Sequence, residues 1–503
     1  MKDSLELASL ASSEDADGSQ NEWSRQSPRE SSSGRGDERA SLSAFDLEDH
    51  LLPLSSTHED GNGAHAAGGL EKFKHVGFLS GFGFVVSLQV GGGIFSTPSR
   101  VNVHVGSVGA SLVVWLVSGI LVWTGASSYA ELGGAIPLNG GEQAYLQHIY
   151  GDLAGFLYSF TAVLVLKPSS AAIISMICAD YVNRACFADP QPWVSKGIAI
   201  VVIVLVSAIN VVGARSATRT NNVLLFVKLS AILGVTVAGL VVMASGRGQQ
   251  WTAGIWTNTA TNGGEWAIAL YAGLWAFDGW NNANFIVAEL RNAKRDLPRI
   301  VHSAMPTVIL AYILANIAFF SVLTLEEIDS NDAIALAFGR AILGGLGGTL
   351  LAIAVALSCL GALNSTVFTA ARLVHASAKQ GYLPPFFAAL SRWNTPMRAV
   401  LLQMVLAMVY IIVGTFEPLV TFYGVAGYFF YFFTVLAVLV LRFTRPELER
   451  PYRTWITTPI IFCCVALFLL TRGVFSAPVE ALCAGAFILL GVPIYYFRMS
   501  YGF

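Results

Sequence analysis

The sequence predicts an all-α integral membrane protein with twelve transmembrane helices, on three observations. Of its 503 residues 54% are hydrophobic and 12% charged, with a mean hydropathy of +0.60, whereas a soluble domain carries about 25% charged residues. The charges are also uneven: of 30 Lys and Arg and 32 Asp and Glu, 22 precede His75, which leaves a remainder too apolar for water. From Val76 onward, apolar stretches of about 20 residues, each able to cross a hydrocarbon core of about 30 Å as a helix, alternate with short polar connections.

Residues 1–70 are rich in Ser, Asp, Glu and Gly and poor in aromatics, which predicts a disordered acidic tail unable to offset chain entropy by burial. No basic segment followed by a short apolar one opens the chain, so the first span is expected to act as the membrane signal and the tail to stay in the cytosol. The expected spans are Val76–Val103, Val108–Tyr129, Leu153–Val182, Gly197–Val212, Asn222–Ala244, Trp266–Glu289, Ser303–Thr324, Ala335–Ala376, Ala399–Thr415, Leu419–Phe443, Pro459–Phe475 and Val479–Phe497. The even-numbered connections and the C-terminus hold about fifteen Lys and Arg, among them Arg291, Lys294, Arg372, Arg442, Arg445 and Arg498, against about six in the others. That asymmetry predicts both termini in the cytosol. The plasma membrane is the expected location, with a vacuolar membrane as the alternative.

Several function classes drop out. A net charge of -2 offers no basic field for nucleic acid. Six cysteines show neither C-x-x-C pairs nor a histidine spacing suited to zinc, so no metal site or disulfide framework is indicated. No H-E-x-x-H or G-x-S-x-G motif supports an enzyme, and no catalytic residue or cofactor is expected.

Two spans carry breaks. Span 1 contains Gly91-Gly92-Gly93; each glycine costs about 1 kcal/mol in a helix interior, so three in succession mark a place where the helix opens. The opened N–H groups and half-helix N-terminus could hold an anion such as a carboxylate, although close helix packing is an alternative reading of the same glycines. Span 6 contains Trp275-Ala-Phe277-Asp278-Gly279-Trp280, where Asp278 is costly unless it meets water, a cation or a partner. The two spans begin about 190 residues apart and break at comparable depth, the pattern of a 5+5 inverted-repeat core with its ligand between broken helices 1 and 6. The expected organisation is a first five-helix repeat over residues 76–244, a second over 266–443, and helices 11 and 12 with a short cytosolic C-terminus over 454–503. Gly344–Gly348 lacks the Lys and Ser/Thr of a phosphate loop and reads as packing or loop glycine.

Further blocks follow in order: Ile94-Phe with Ser-Thr-Pro98, Tyr129-Ala-Glu-Leu-Gly133, Ile136-Pro-Leu-Asn-Gly-Gly-Glu142, Tyr271 to Asn281, Glu289-Leu-Arg-Asn292, Arg295-Asp-Leu-Pro298, Ala356 to Asn364 and Pro446-Glu-Leu-Glu-Arg-Pro451. With them the stretch from Val76 to Phe497 resembles the L-type, light-chain-like transporters of the amino acid–polyamine–organocation superfamily, and is most similar to their cystine, dibasic and neutral amino acid subtype. The resemblance implies the LeuT-like fold and an amino acid substrate. Its carboxylate would lie on Gly91, Gly92, Gly93 and Ile94, and its amino group on carbonyls freed in span 6 around Phe277 and Gly279.

Trp275 resembles the family's aromatic lid, with a packing or lipid-facing tryptophan as the alternative. Most L-type members have a small residue in place of Asp278. A carboxylate there would attract a Lys or Arg side chain, unless it only pairs with protein donors. Lys167 stands where the family usually has arginine before proline, and reads as a structural or gating ion-pair member rather than a substrate contact. Lys228 looks like the lysine that takes the place of a sodium ion in sodium-coupled relatives, bridging spans 1 and 8, with snorkelling as the alternative. Asn364 is a polar cavity or packing candidate, and Glu131 an anchor. Cys186 lies a few residues before the place of the cysteine that joins mammalian relatives to a heavy chain, so that disulfide is not carried over, and a subunit acting alone is an equal expectation, as in similar microbial members.

The expected function is sodium-independent exchange of neutral and some cationic amino acids by alternating access, with amino acid substrates and the bilayer as the expected partners. The alternatives are a proton-coupled, methionine-type amino acid permease and a non-transporting amino acid receptor.

Overall fold

The structure, a computed structural model, describes residues 77–501 except 137–139, 188–190, 213, 247–253, 286, 288, 289, 332, 392–394, 415 and 477. The acidic tail expected over residues 1–70 lies outside the described residues. The first span is a pair, α1 (Phe78–Gln89) and α2 (Gly93–Val105), bent by 45°. There follow α3 (Val108–Ala135), the short α4 (Glu142–Tyr150), and α5 (Asp152–Thr161) joined through a π-helical turn, Ala162–Leu166, to α6 (Lys167–Cys186). Next come α7 (Pro192–Val212), α8 (Ala214–Ala244) and α9 (Gly263–Ala276), the last followed by a 3-10 turn, Trp280–Phe285. The remainder is α10 (Ala293–Val322), α11 (Leu325–Asp329), α12 (Ile334–Lys379, kinked at Leu343 and Gly344), α13 (Met397–Val413), α14 (Phe416–Thr444), α15 (Thr457–Ser476) and α16 (Pro478–Tyr501).

Among the described residues nine helices are long and apolar enough to cross a membrane, and ten if α1 and α2 count as one bent span. The expected twelve is not reached by length alone. Asp278 and Gly279 cut span 6 into a 14-residue helix and a short 3-10 turn, and span 9 is the 17-residue α13, bounded by Pro396 and Gly414. Asp152–Cys186 has its apolar window 78% buried, against 22% for Pro478–Arg498, so the former runs through the centre and the latter along the perimeter. Leu205, Leu233, Leu467, Leu482 and Leu489 point outward. An apolar perimeter of this kind belongs in lipid, and the protein is an integral membrane protein.

The two broken segments run antiparallel, because α2 packs on α9 while α1 packs on the 3-10 turn that follows α9. Three further pairs of counterparts in the two halves also meet: α3 lies on α10, α6 on α12 and α7 on α13. Such pairing is what an inverted repeat demands of elements near its two-fold axis.

Pro168 explains the π turn. It has no N–H for the carbonyl of Leu164, and that carbonyl accepts instead from the Tyr410 hydroxyl at 3.1 Å, while Val163 accepts from Gln403 at 2.9 Å. Two donors from α13 thereby hold the bulge that places Lys167 in the protein centre.

The basic connections meet on one face. Lys294 pairs with Glu449 at 2.9 Å, and Arg445 donates to His148 at 3.0 Å. Buried beneath them, Glu131 accepts two bonds from Arg442, at 2.9 and 2.5 Å, and one from the Thr454 N–H at 2.9 Å, with Arg450 at 3.7 Å. This tie fastens α3 to α14 and to the start of the following connection. Removing one partner of a buried pair strands the other charge, so Glu131→Gln is expected to cost about 3–5 kcal/mol. Glu449→Gln, in an exposed pair, is expected to cost under about 1 kcal/mol. Thermal melting in detergent distinguishes the two.

Candidate functional site

A helix broken inside a membrane leaves carbonyls and N–H groups that need partners. At the end of α1 three neighbouring helices supply them. Lys228 of α8 donates to the Ser87 carbonyl at 2.8 Å, Tyr312 of α10 to that of Gln89 at 2.7 Å, and Ser358 of α12 to that of Gly91 at 3.3 Å. The Tyr312 hydroxyl also faces the Ala276 carbonyl at 3.2 Å, so one side chain holds both broken segments. Gln89 completes the link, donating to the Phe277 carbonyl at 3.2 Å. Two carbonyls freed in span 6, those of Ala276 and Phe277, thus already have protein partners.

The N–H groups of α2 are a different case. Its first turn starts at Gly93 with no side-chain cap, so the positive end of that helix faces the break. The glycines let it come close to its neighbours. A Cβ on Gly91 would lie 3.1 Å from the Ala362 side chain, one on Gly92 2.7 Å from Cys359, and one on Gly93 2.7 Å from the Ala276 backbone. Across the gap Gly279 has φ +103, in the left-handed region, and a Cβ there would lie 3.1 Å from Leu88. The two readings of the glycines are therefore one arrangement, in which close packing brings the opened backbones together.

Between the breaks lies a cavity of about 40 Å³, lined among others by Gly91, Gly92, Gly93, Lys167, Ser170, Ile174, Trp275, Asp278, Gly279, Thr366, Thr369 and Tyr423. That is room for roughly three waters. Trp275 is buried against it. Asp278 accepts from Tyr423 of α14 at 2.8 Å. Lys167 has its ammonium 4.9 Å from the centre of the Phe285 ring, with Glu142 and Asp278 as its charged neighbours.

The remaining expected residues stand off the cavity. Ile94 is fully buried, and Phe277 packs its ring against Trp115 and Tyr312, offering only backbone. Lys228 braces span 1 from behind the break. Asn364 accepts from Asn210 of α7 at 2.9 Å, a packing contact between helices. Cys186 is exposed at the end of α6.

Sequence reasoning missed Glu142, which is fully buried, accepts from Tyr158 at 3.1 Å and takes a further bond from Asn281. Its signal lay in the preceding pair: Gly140 and Gly141 have φ +126 and +56, which turn the chain so that the next side chain enters the bundle. Tyr312 and Tyr423 carried no comparable signal, since each meets its partner only through the tertiary fold.

A helical membrane protein with a cavity between two antiparallel broken helices belongs to the inverted-repeat class of secondary transporters. The family model described as amino acid permease matches residues 76–496, and the chain belongs to that family. It is similar to the b(0,+)-type amino acid transporter 1 of Mus musculus, 36% identical over 434 residues that cover 86% of this chain and 89% of the relative. It is also similar to the large neutral amino acids transporter small subunit 2 of Mus musculus, 33% identical over 455 residues covering 88% and 84%, and to the Asc-type amino acid transporter 1 of Mus musculus, 34% identical over 430 residues covering 84% and 81%.

The Gly93 contact yields a test. Because its neighbour is backbone and cannot swing aside, Gly93→Ala is expected to force the broken helices apart and cost about 1–3 kcal/mol. Gly234→Ala, with nothing within 4 Å of its Cβ, is expected to melt like the unaltered protein. Thermal shift measurements with and without amino acids read both effects, and the stabilisation by ligand is expected to vanish in Gly93→Ala only.

Proposed function

We propose that the protein is a sodium-independent transporter of the plasma membrane that exchanges neutral and cationic amino acids by alternating access. The observation that carries this reading is the cavity between the two breaks, which joins an uncapped helix N-terminus suited to a carboxylate with the carboxylate of Asp278, suited to a cationic side chain. The relatives' names supply the substrate class, for each is called an amino acid transporter. At about 40 Å³ the cavity is well below the roughly 300 Å³ or more of a small-molecule site, so loading requires the broken helices to move. Residues 76–244 and 266–443 are the two repeats of the rocking core, followed by helices 11 and 12 over 454–503.

Lys228 supports independence from sodium, since its ammonium already serves the Ser87 carbonyl beside the break. The basic connections gathered on one face support a reading in which that face, and both termini, lie in the cytosol. No chemistry is assigned beyond movement of the substrate. The relative called a small subunit is by that name part of an assembly; here the reading takes the chain as acting alone. A second reading, a proton-coupled permease, has its own support in two carboxylates, Asp278 at the cavity and the buried Glu142.

Uptake of labelled leucine and arginine into proteoliposomes of purified protein tests both. Uptake that needs amino acid inside the vesicles and ignores a sodium gradient is the expected result; uptake into empty vesicles driven by a proton gradient would replace exchange by the second reading, and binding without flux would indicate a receptor. Asp278→Asn is expected to lower arginine uptake relative to leucine about tenfold, the value of one charge-assisted contact. An equal loss for the two substrates would remove Asp278 from side-chain recognition.

A further inference from the structure

Three ionisable side chains are gathered at the centre of the bundle, and they are not equivalent. Asp278 and Lys167 line the cavity, whereas Glu142 sits behind its wall, fully buried. Glu142 has donors of its own in Asn281 and Tyr158, as Asp278 has in Tyr423. Each carboxylate is therefore held whether or not the lysine is beside it. Lys167 is held differently. Its ammonium rests over the Phe285 ring and is locked to neither carboxylate by a short ion pair among the described residues.

The contrast with Glu131 and Arg442 in the same protein is informative. Where this chain fastens helices together it uses a guanidinium fork at 2.9 and 2.5 Å, whose fixed geometry suits a tie. At the cavity it uses a compact ammonium on a flexible four-carbon stem, with one carboxylate that lines the cavity, Asp278, and one that does not, Glu142, as its charged neighbours. A buried carboxylate that loses its counter-charge costs several kcal/mol, so whichever of the two lacks a cation is the better place for the lysine.

We propose that Lys167 and Glu142 set the balance between neutral and cationic substrates: Lys167 pairs with Asp278 while a neutral amino acid is bound, and turns to Glu142 when a cationic side chain occupies Asp278. The proposal rests on the transporter reading above and adds to it a selectivity device made of two further residues. With a neutral substrate, Glu142 is kept by Asn281 and Tyr158; with a cationic one, both carboxylates have a cation. The lysine competes with the substrate for Asp278, and Glu142 is the seat that lets it yield.

The test is the ratio of kcat/KM for arginine to that for leucine, measured on the purified full chain in proteoliposomes. Lys167→Met removes the competing ammonium and keeps most of the stem, and is expected to raise the ratio about tenfold, or ~1.4 kcal/mol. Glu142→Gln removes the alternative seat and is expected to lower the ratio by a similar factor. Lys167→Gln serves as a second variant should the methionine protein fail to fold. A purely structural role would reduce both substrates together, so a ratio unmoved in either variant, or moved in the same direction by both, overturns the proposal. Wild-type protein that carries leucine but no arginine also overturns it while leaving the transporter reading intact. Wild-type protein that carries neither defeats the transporter reading itself.

Discussion

A peptide carbonyl or N–H exposed to hydrocarbon costs several kcal/mol, and the centre of this protein depends on how that demand is met at two breaks. The carbonyls released by α1 and α9 are covered by Lys228, Tyr312, Ser358 and Gln89, so the breaks are stable without a ligand. The N–H groups at the start of α2 have no side-chain cap. The asymmetry supports the proposal that a negative group binds at that point. Tyr312 matters most among the supports, because a single hydroxyl ties the broken ends of both segments to the same helix. A movement of one broken segment is thereby felt by the other.

The buried charges divide along the same line between what must stay and what must respond. Glu131, Arg442 and Arg450 form a closed cluster at the basic face, away from the cavity, with short bonds to side chain and backbone. Lys228 has one short contact to one carbonyl. Lys167, Asp278 and Glu142 are arranged more loosely, each carboxylate served by hydroxyl or amide donors and the ammonium by an aromatic ring. Neutral donors can hold a carboxylate in place while leaving it able to accept a cation. That distinction fits a site that must bind, release and return.

The membrane class and most spans were legible because hydropathy reports the solvent directly, and lipid allows few solutions to the backbone problem. The breaks were legible because glycine runs and a lone carboxylate are costly in apolar helices. The count of spans was less so. Opened backbone shortens helix 6 until a length criterion no longer detects it, and Pro396 and Gly414 clip helix 9. At the site, Gly91–Gly93 and Asp278 stood out by local pattern, and Trp275 and Lys167, which also line the cavity, by resemblance to the family. Glu142 entered only as the last residue of a block shared with the family, since the turn that buries it depends on two left-handed glycines. Phe277, named for its backbone, turns its ring to Trp115 and Tyr312, and Asn364, read as a cavity or packing residue, packs on Asn210. Tyr312 and Tyr423 could not be read from sequence, for each meets its partner only across the assembled bundle.

The central claim is that the substrate lies in the gap between the two breaks. Cysteine protection tests it most directly, using single cysteines at Ser170 and Thr366, which line the cavity, and at Asn364, which does not, in a chain whose six native cysteines are replaced. The account predicts that leucine slows modification of Ser170→Cys and Thr366→Cys by a small thiol reagent and leaves that of Asn364→Cys unaffected. Leucine that binds without protecting either lining position would contradict it.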